Sequence, residues 1–540
     1  PLPIGDDLTW TKSTRAMVER VDSPIILMLL DDFFFRSRVN TARVEGLVRD
    51  FERLDAAYLR LVPNPPPDLR LARFPDVGEI APGAPYRSSL QAALWRKSDL
   101  LELLRDEELE AARDTRGGPV DYGRVIPAKE RLARLAAERL LSSGRFASEL
   151  DAFRLANAGW LDDYCLFTVI KRERAVAAAA AGVDDSSWNA YWPRTLARRE
   201  PEAIAAFRAG HGRELSLIEA EQFLFRRQWD ELRERAAGRG LSIVGDLPIF
   251  VAPDSADAWA HPELFRLDAS GRPIEVAGVP PDYFSRDGQL WGNPLYDWER
   301  HEATGFSWWI ARVEAALSLY DMVRVDHFRG LAACWAVPAG RKTARRGEWK
   351  AAPGAALLSA LRARLGDELP ILAEDLGLIT PDVVALRDSF GLPGMRILQF
   401  GFDARESGRG LDPDNPFLPH TYVPGCVAYT GTHDNDTLAG WLASASQAER
   451  AFVSGYLGYD PPDPVRALVR EAMKSAAGLA VFPMQDLLGL GSEARMNRPG
   501  ATGGNWAWRL ESLPGPDLAD ELRAMTRLYS RLPAPTAPCA

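Results

Sequence analysis

The feature that most constrains the fold is a series of short apolar runs separated by long stretches of helical character. An apolar run of this length predicts a strand that is buried on both faces, as in a parallel sheet. Eight candidate runs lie at residues 23–29, 56–63, 241–250, 321–328, 369–377, 395–400, 425–435 and 479–488.

Helical stretches such as 303–319 supply the crossovers that parallel strands need, and right-handed crossovers would close the strands into a barrel. The predicted fold class is therefore α/β, a (β/α)8 TIM barrel with helical insertions. Several runs end in a polar cluster, such as VDHFRG, AEDLG or THDND. In this fold the carboxyl ends of the strands build the active site, so these clusters lie where chemistry is expected.

The stretch between the second and third runs is too long for one crossover helix, and much of it is rich in Ala, Arg, Leu and Glu at helical spacing. It predicts a mostly helical inserted subdomain. No separate C-terminal β-sandwich is expected. The predicted organisation is an N-terminal extension (1–22), the start of the barrel (23–63), the helical insertion (64–240), the remainder of the barrel (241–510), and a C-terminal helix and tail (511–540).

Composition narrows the classes of partner. The 65 basic and 75 acidic residues give a net charge of −10, which disfavours nucleic acid and anionic membrane surfaces. No run approaches the roughly 18 apolar residues of a membrane span, and the start lacks a signal-peptide pattern. The four cysteines are far apart and form no CxxC pair, so neither a zinc site nor a disulfide framework is indicated, and a cytoplasmic location is expected.

Three acids each close an apolar run: Asp326 in MVRVDHFRG, Glu374 in ILAEDLG and Asp434 in YTGTHDND. One such acid is an ordinary N-cap for the next helix, but three on three runs indicate chemistry. Retaining glycoside chemistry needs two carboxyl groups about 5–5.5 Å apart, and neighbouring strands lie about 4.8 Å apart. Asp326 and Glu374 close the fourth and fifth runs, so they could supply that pair.

Residues next to these acids fit the same chemistry. Arg324 lies two residues before Asp326 and so on the same strand face, where its guanidinium would favour an ionised carboxylate. His327, His433 and Asn435 could donate hydrogen bonds to sugar hydroxyls.

Two alternative interpretations remain for these residues. Arg324 could form a strand-end ion pair without catalytic purpose. A metal site is less favoured because no HxxxH or similar spacing occurs, so no metal and no cofactor is predicted.

From about residue 215 to 510 the chain resembles the amylomaltases or disproportionating enzymes, which are 4-alpha-glucanotransferases related to the α-amylases. The resemblance rests on GDLPIFVAPDSADAWAHPELF, VAGVPPDYFSRDGQLWGNPLYDW, VRVDHFRG, LAEDLG, YTGTHDNDT and PMQDLLGLGSEARMNRPG in this order. It implies that Asp326 is the nucleophile, Glu374 the acid/base and Asp434 the stabiliser of the transition state.

The resemblance also implies the sugar-binding positions. It implies a lid over the cleft that contains Tyr283, Gln289 and Trp291, with Asp282 beside it. It implies that Asp246 is a sugar contact or a structural carboxylate. Phe400 and Asn497 match positions that line the donor side and a facing loop. Weaker sequence similarities at 84–94 and 120–130 place Tyr86 and Tyr122 near the sugar path.

The first 200 or so residues depart from the family pattern. LDDFFFRSRVN at 30–40 stands where the family has a Ser-Leu-Pro-Gly turn and a Gly-Ile-Gly-Asp segment, while LPIGD at 2–6 precedes the first run. Substrate preference on the acceptor side could therefore differ from that of typical relatives.

The predicted function is the transfer of α-1,4-glucan segments from maltooligosaccharide, starch or glycogen donors to glucose or maltooligosaccharide acceptors by a retaining double displacement. The nearest rival is an α-glucan hydrolase with the same carboxylates. A second rival is an inactive glucan-binding barrel, whose signature would be the loss of one of the three acids. Oligomeric state, preferred chain length and the formation of cyclic glucans stay open.

Overall fold

A computed structural model describes residues 18–28, 41–54, 58–60, 69–70, 78–79, 93–97, 118–281, 285–404, 411–501 and 503–532. The chain divides into two compact units. The first comprises residues 1–117 and 123–132, and the second comprises 118–122 and 133–540.

The described strands, in chain order, are β1 (Ile25–Met28), β2 (Tyr58–Arg60), β3 (Leu69–Arg70), β4 (Gly78–Glu79), β5 (Ala93–Arg96), β6 (Val244–Pro248), β7 (Glu275–Val279), β8 (Gln289–Pro294), β9 (Met322–Asp326), β10 (Ala333–Pro338), β11 (Glu348–Ala351), β12 (Ile371–Ala373), β13 (Gly394–Ile397), β14 (Cys426–Tyr429) and β15 (Leu479–Val481).

The described α-helices are Thr41–Arg53, Tyr122–Ser143, Ala147–Ala156, Leu161–Ala180, Arg194–Ala197, Pro201–Ala237, Ala256–Ala260, Trp298–Ala303, Ser307–Leu319, Gly354–Leu365, Pro381–Ser389, Leu398–Phe402, Leu438–Ser444, Gln447–Leu457, Pro464–Lys474, Met484–Leu487 and Pro516–Leu528. Short 3-10 helices lie at Pro262–Leu264, Phe328–Leu331, Pro419–Thr421 and Ser492–Ala494.

In the first unit the first two predicted runs do form strands, β1 and β2. Both pair antiparallel with β5, in the order β1-β5-β2. The sequence analysis expected these runs to pair in parallel as the first strands of the barrel. The difference arises because β5 lies inside the stretch interpreted as a helical insertion, where its four residues show too little pattern to predict a strand.

In the second unit the other six predicted runs form one parallel sheet in the order β15-β14-β13-β12-β9-β6. Every neighbouring pair in this sheet is parallel. The predicted crossover helix is confirmed as Ser307–Leu319, which leads into β9. The architecture is α/β and TIM-barrel-like, as the spacing of the apolar runs predicts.

Burial explains why these runs are strands. All three residues of β12 are buried, and Val323 and Val325 of β9 are 1% and 4% exposed. Their core continues into the long helices of the second unit, through Ile170 and Trp309. The Leu161–Ala180 and Pro201–Ala237 helices therefore pack on the same apolar core as the sheet, whereas Ala137 and Leu140 of the Tyr122–Ser143 helix belong to a separate apolar cluster.

A second sheet in this unit carries residues of interest for the site. It has the antiparallel order β11-β10-β7-β8, and β8 begins at Gln289 and includes Trp291.

Among the described residues after Val481, the structure contains helices and turns only. No helix within the described ranges is both long and apolar enough to cross a membrane.

The packing of β6 against the Ser307–Leu319 crossover yields a test of the fold. A Cβ added to Gly245 would lie 2.0 Å from Cδ2 of Tyr320, so Gly245→Ala must displace that ring. We expect a loss of about 1–3 kcal/mol of stability, the usual effect of overpacking. It would be measured as a lower midpoint of unfolding.

Gly455→Ala is the matched control. Gly455 lies in the Gln447–Leu457 helix with no atom within 4 Å of an added Cβ. Alanine there should be neutral or stabilising by about 0.5–1 kcal/mol. Equal midpoints for the two variants would contradict the close contact between β6 and Tyr320.

Candidate active site

The carboxyl ends of β6, β9 and β12 bring three acids to one edge of the parallel sheet. Asp246 of β6 lies beside Arg324 of β9, and Pro248 lies beside Asp326. On the other side Ala373 of β12 lies beside Val325, so the next residue, Glu374, follows at the level of Asp326. The predicted placement of Asp326 and Glu374 at neighbouring strand ends is therefore observed.

Arg324 joins two of these acids. Its Nε and one terminal nitrogen donate to the two carboxylate oxygens of Asp246, at 2.7 and 3.1 Å, and the same terminal nitrogen donates to Oδ1 of Asp326 at 2.8 Å. Burial opposes the charge of the guanidinium, but the hydrogen bonds and charges of Asp246 and Asp326 outweigh it and raise the pKa of Arg324. The site therefore holds a permanent positive charge against the Asp326 carboxylate.

Glu374 is the most enclosed acid of the group, with 9% of its surface exposed. Burial, and next the charge of Asp326, raise its pKa to about 7. Arg324 and two backbone donors act in the opposite direction: the N–H of His327 donates to Oε2 at 2.7 Å and the N–H of Leu376 to Oε1 at 2.9 Å. Near neutral pH this carboxyl group can therefore hold or release a proton, as a general acid and base must.

His327 serves this arrangement through its backbone. It adopts a left-handed conformation (φ 54°), uncommon for a residue other than glycine, and this turn directs its N–H to Glu374. Burial, and next the charge of Arg329, lower the pKa of its imidazole to about 4, so the ring is neutral at pH 7. The Trp291 ring meets it edge to face, with the centroids 4.7 Å apart.

Asp326 itself is subject to opposing influences. Burial raises its pKa most, Arg324 lowers it, and the charges of Asp246 and Asp434 raise it further. The net shift is upward. The charge of Asp434 affects the pKa of Asp326 because the two residues lie close together in space, although they lie at the ends of different strands.

The loop after β14 presents Asp434. Its carboxylate accepts a hydrogen bond from the side-chain amide of Asn497 (2.6 Å) and lies 3.4 Å from Nε2 of His433. Its carbonyl oxygen accepts from Arg495 at 2.5 Å. Asn435 stabilises the loop: the residue is 9% exposed, and its side chain accepts hydrogen bonds from the backbone N–H and the side-chain hydroxyl of Thr432.

Other residues predicted from the family resemblance lie around this edge. Gln289 accepts from the Trp291 indole at 3.2 Å. Phe400 is 9% exposed and packs edge to face on Phe417, so most of its ring is core. Tyr122 donates to the carbonyl oxygen of Trp506 at 2.6 Å. Asp282, Tyr283 and Tyr86 lie outside the described residues.

Sequence reasoning missed Arg495 and Trp506. The Trp506 ring packs on His433 with the centroids 5.0 Å apart, and its φ of 58° is again left-handed. The run GGNWAW carries the same signal that drew attention to Trp291, a large aromatic residue in a glycine-containing loop. Arg495 offered no signal, because its partner is a backbone carbonyl 61 residues away.

The arrangement can perform glycoside-bond chemistry of the two-carboxylate kind. The pKa of Glu374 is raised to about 7, and on the neighbouring strand the Asp326 carboxylate pairs with the Arg324 guanidinium. Among the residues that the structure describes, no three His, Cys, Asp or Glu side chains are grouped to hold a metal ion. Fold and site thus define an α/β barrel-type enzyme that cleaves and forms glycosidic bonds.

Comparison with known proteins identifies the family. The family model described as 4-alpha-glucanotransferase matches residues 48–514. The chain is 48% identical to the 4-alpha-glucanotransferase of Thermus thermophilus over 430 residues, which are 77% of this chain and 82% of that protein. It is 43% identical to the chloroplastic/amyloplastic 4-alpha-glucanotransferase of Solanum tuberosum over 438 residues, which are 80% of this chain and 73% of that one.

A solved structure agrees with these relatives. The amylomaltase from Streptococcus agalactiae, determined in complex with acarbose, superimposes with a TM-score of 0.70 at 34% identity, covering 76% of this chain and 80% of that one. The chain belongs to the 4-alpha-glucanotransferase family, and its activity is the transfer of glucan segments between α-glucan substrates. The hydrolase and the inactive binding protein are not favoured.

The raised pKa of Glu374 predicts the pH dependence of activity. A general acid must be protonated, so kcat/KM should fall as pH rises through about 7. A nucleophilic carboxylate must be ionised, and the pKa of Asp326 is raised, so with Asp326 in that role the acid limb should lie at higher pH than an ordinary aspartate would give. A bell-shaped profile of kcat/KM for maltotriose transfer would be measured.

The control combines a variant that lacks the acid with a donor whose leaving group does not need one. Glu374→Gln should lose transfer from maltotriose but still release fluoride from an α-glucosyl fluoride, whose leaving group needs no proton. With that donor the alkaline limb should be absent in the variant. If the limb persisted unchanged, Glu374 would not be the group that titrates near pH 7.

Proposed function

We propose that Asp326 is the nucleophile and Glu374 the general acid and base of a double displacement on α-1,4-glucans. The observation that carries this proposal is their position at the ends of neighbouring strands. Arg324 donates a hydrogen bond to Asp326, and two backbone N–H groups donate hydrogen bonds to Glu374. The two carboxyl groups thus have different environments, as the two roles require.

In the first step the Asp326 carboxylate attacks the anomeric carbon of the donor, and the bond from that carbon to the leaving sugar oxygen breaks. The Glu374 carboxyl group gives its proton to that oxygen. In the second step a hydroxyl group of the acceptor sugar attacks the same carbon, Glu374 takes the hydroxyl proton, and Asp326 leaves. The anomeric configuration is retained because it is inverted twice.

Asp434 has the third role in this proposal. Its carboxylate, oriented by Asn497 and His433, would accept hydrogen bonds from ring hydroxyls and strengthen them as the ring flattens toward the transition state. Asp246 is then a structural carboxylate, because both its oxygens are engaged by Arg324. His327, His433, Asn435, Phe400 and the predicted aromatic positions remain predicted sugar contacts.

We also retain the finer expectations from the sequence. The parallel sheet of the second unit would belong to a (β/α)8 barrel, and residues 64–240 would contribute a mostly helical insertion. The donors would be maltooligosaccharides, starch or glycogen and the acceptors glucose or maltooligosaccharides, with no nucleic acid or membrane partner. The balance of charge and the cysteine usage favour a cytoplasmic location.

The nucleophile is tested by Asp326→Ala. Deleting the carboxylate removes the covalent route, so we expect transfer from maltotriose to fall by a factor on the order of 10⁴ or more. Glucose and longer maltooligosaccharides would be quantified after incubation with maltotriose. Asp520→Ala is the matched control, since Asp520 is 69% exposed on the C-terminal helix and should retain full activity. A tenth of wild-type transfer in Asp326→Ala would contradict the assignment.

Trp291 is proposed to form part of the lid that favours transfer over hydrolysis. Its ring is 37% exposed and is fixed by Gln289 and His327, so it can offer an apolar platform to an incoming sugar. An aromatic contact contributes about 0.5–1.5 kcal/mol. Trp291→Ala should therefore lower transfer about threefold to tenfold while the accompanying slow hydrolysis changes less.

Glucose release and disproportionation would be measured in the same preparation. Trp349→Ala is the control, because Trp349 is exposed to nearly the same extent (38%) but lies on β11 against Trp335. It should leave the ratio of transfer to hydrolysis unchanged. An equal fall of both reactions in Trp291→Ala would leave that residue with a folding or donor-binding role only.

A further inference from the structure

A large cavity lies on the helical flank of the second unit and contains none of the residues assigned to catalysis. Its volume is about 1040 Å³, at the upper end of the roughly 300–1,000 Å³ typical of ligand sites. Its walls come from the Ala147–Ala156 and Leu161–Ala180 helices, from Pro201–Ala237, and from Ser307–Leu319.

The cavity is elongated along the crossover helix. Residues from Trp308 to Ser318 line it at helical spacing, a span of about 15 Å along the axis. Arg312 lines the cavity and donates to the carbonyl oxygens of Pro248 (2.6 Å) and Ile249 (3.3 Å). Pro248 is the residue of β6 that pairs with Asp326, so Arg312 connects the cavity wall with the carboxyl end of the sheet.

An exposed aromatic ring is fixed on the cavity wall. Trp160 is 40% exposed, and its indole N–H donates to Oδ1 of Asn157 at 3.0 Å. Asn157 is itself bonded to the carbonyl oxygen of Phe153 at 2.8 Å, and Tyr164 contacts the Trp160 ring edge to face at 5.9 Å. An indole face that is fixed by its neighbours and exposed inside a cavity can serve as a platform for a ligand.

The wall of the cavity contains seven acidic residues and three arginines, and three of the acids form ion pairs within the protein. Asp163 pairs with Arg199 at 2.5 Å, Asp230 with Arg226 at 2.9 Å and Glu314 with Arg364 at 2.6 Å. Each paired carboxylate keeps lone pairs that can accept from a ligand, because it has about four acceptor sites. The excess of acids disfavours an anionic ligand, and the carboxylate oxygens offer acceptors to a neutral ligand rich in hydroxyl groups.

We infer that this cavity is a second, non-catalytic binding site for an α-glucan chain. An exposed indole face and fixed carboxylates are the groups that bind the C–H face and the hydroxyls of a sugar ring. The substrate is a polymer, so one chain can reach both the flank and the strand ends. This inference rests on the activity of the chain toward α-glucans but not on the role of any catalytic carboxylate.

The test compares a short and a long substrate. Trp160→Ala should leave kcat and KM for maltotriose disproportionation unchanged and raise KM for soluble amylose about threefold to tenfold, the effect of losing one aromatic contact. Trp160→Phe keeps an aromatic plane and should retain most of the affinity for amylose. A loss of maltotriose transfer would indicate damage to the catalytic site instead, and would overturn a separate second site.

A second variant blocks the cavity from the opposite wall. Ala311 is exposed and lines the cavity, so Ala311→Met should fill space without disturbing the core and should also raise KM for amylose. In an Asp326→Ala background, amylose should slow hydrogen exchange in residues 147–164 and 307–318, and Trp160→Ala should remove that protection.

Two results would overturn the inference. One is an unchanged KM for amylose in both Trp160→Ala and Ala311→Met. The other is a change of oligomeric state in these variants, by light scattering, without a change in glucan binding, which would make the cavity an interface between copies of the chain.

Discussion

The hydrogen bonds of Arg324 are the interaction on which the catalytic edge of the sheet depends. The carboxyl groups of Asp246, Asp326 and Glu374 converge there, and neighbouring negative charges disfavour one another's ionisation. Arg324 engages Asp246 with two hydrogen bonds and Asp326 with a third, while only 14% of its side chain is exposed. A lysine would present a single point charge, whereas the planar guanidinium holds two carboxylates on neighbouring strands in a defined orientation.

The same region shows how burial and a neighbouring charge raise the pKa of a carboxyl group. Glu374 is deeper, and burial together with the charge of Asp326 raises its pKa to about 7. Its neighbour Asp375 is buried too, but it accepts from the backbone N–H of Met395 at 2.7 Å and pairs with Arg387. Asp375 thereby anchors the end of β12, so the position of Glu374 is set by a strand junction rather than by a free loop.

Two of the six described residues other than glycine with a left-handed backbone lie at the candidate site. His327 takes a left-handed conformation to direct its N–H to Glu374, and Trp506 takes one beside His433. Such conformations cost on the order of 1–3 kcal/mol each and persist when the surroundings dictate them. For His327 the buried core that includes Val325 and Phe328 supplies that support.

A second glucan site would alter how the enzyme treats long substrates. A chain held on the flank raises the effective concentration of its other segments near the strand ends, without any new contact at the reacting bond. Because Arg312 of the crossover helix lines the cavity and is hydrogen-bonded to Pro248, which pairs with Asp326, the same strand and helix connect the two sites.

The sequence by itself determined the elements and the chemistry at their ends. Six apolar runs became the six parallel strands, and Asp326, Glu374 and Asp434 follow three of them, because continuous apolar patterning specifies burial on both faces. The motifs also specified the family. These are local properties of the chain, which periodicity and spacing record directly.

Only the tertiary structure decided which groups meet and what their ionisation is. Arg324 pairs with Asp246 across 78 positions, and Asp434 with Asn497 across 63. The first two runs pair with β5 rather than with the parallel sheet, and His327 acts on Glu374 through a backbone N–H that no residue type reveals. Strand partners, desolvation and through-space charge depend on three-dimensional neighbours, and a one-dimensional pattern carries no record of them.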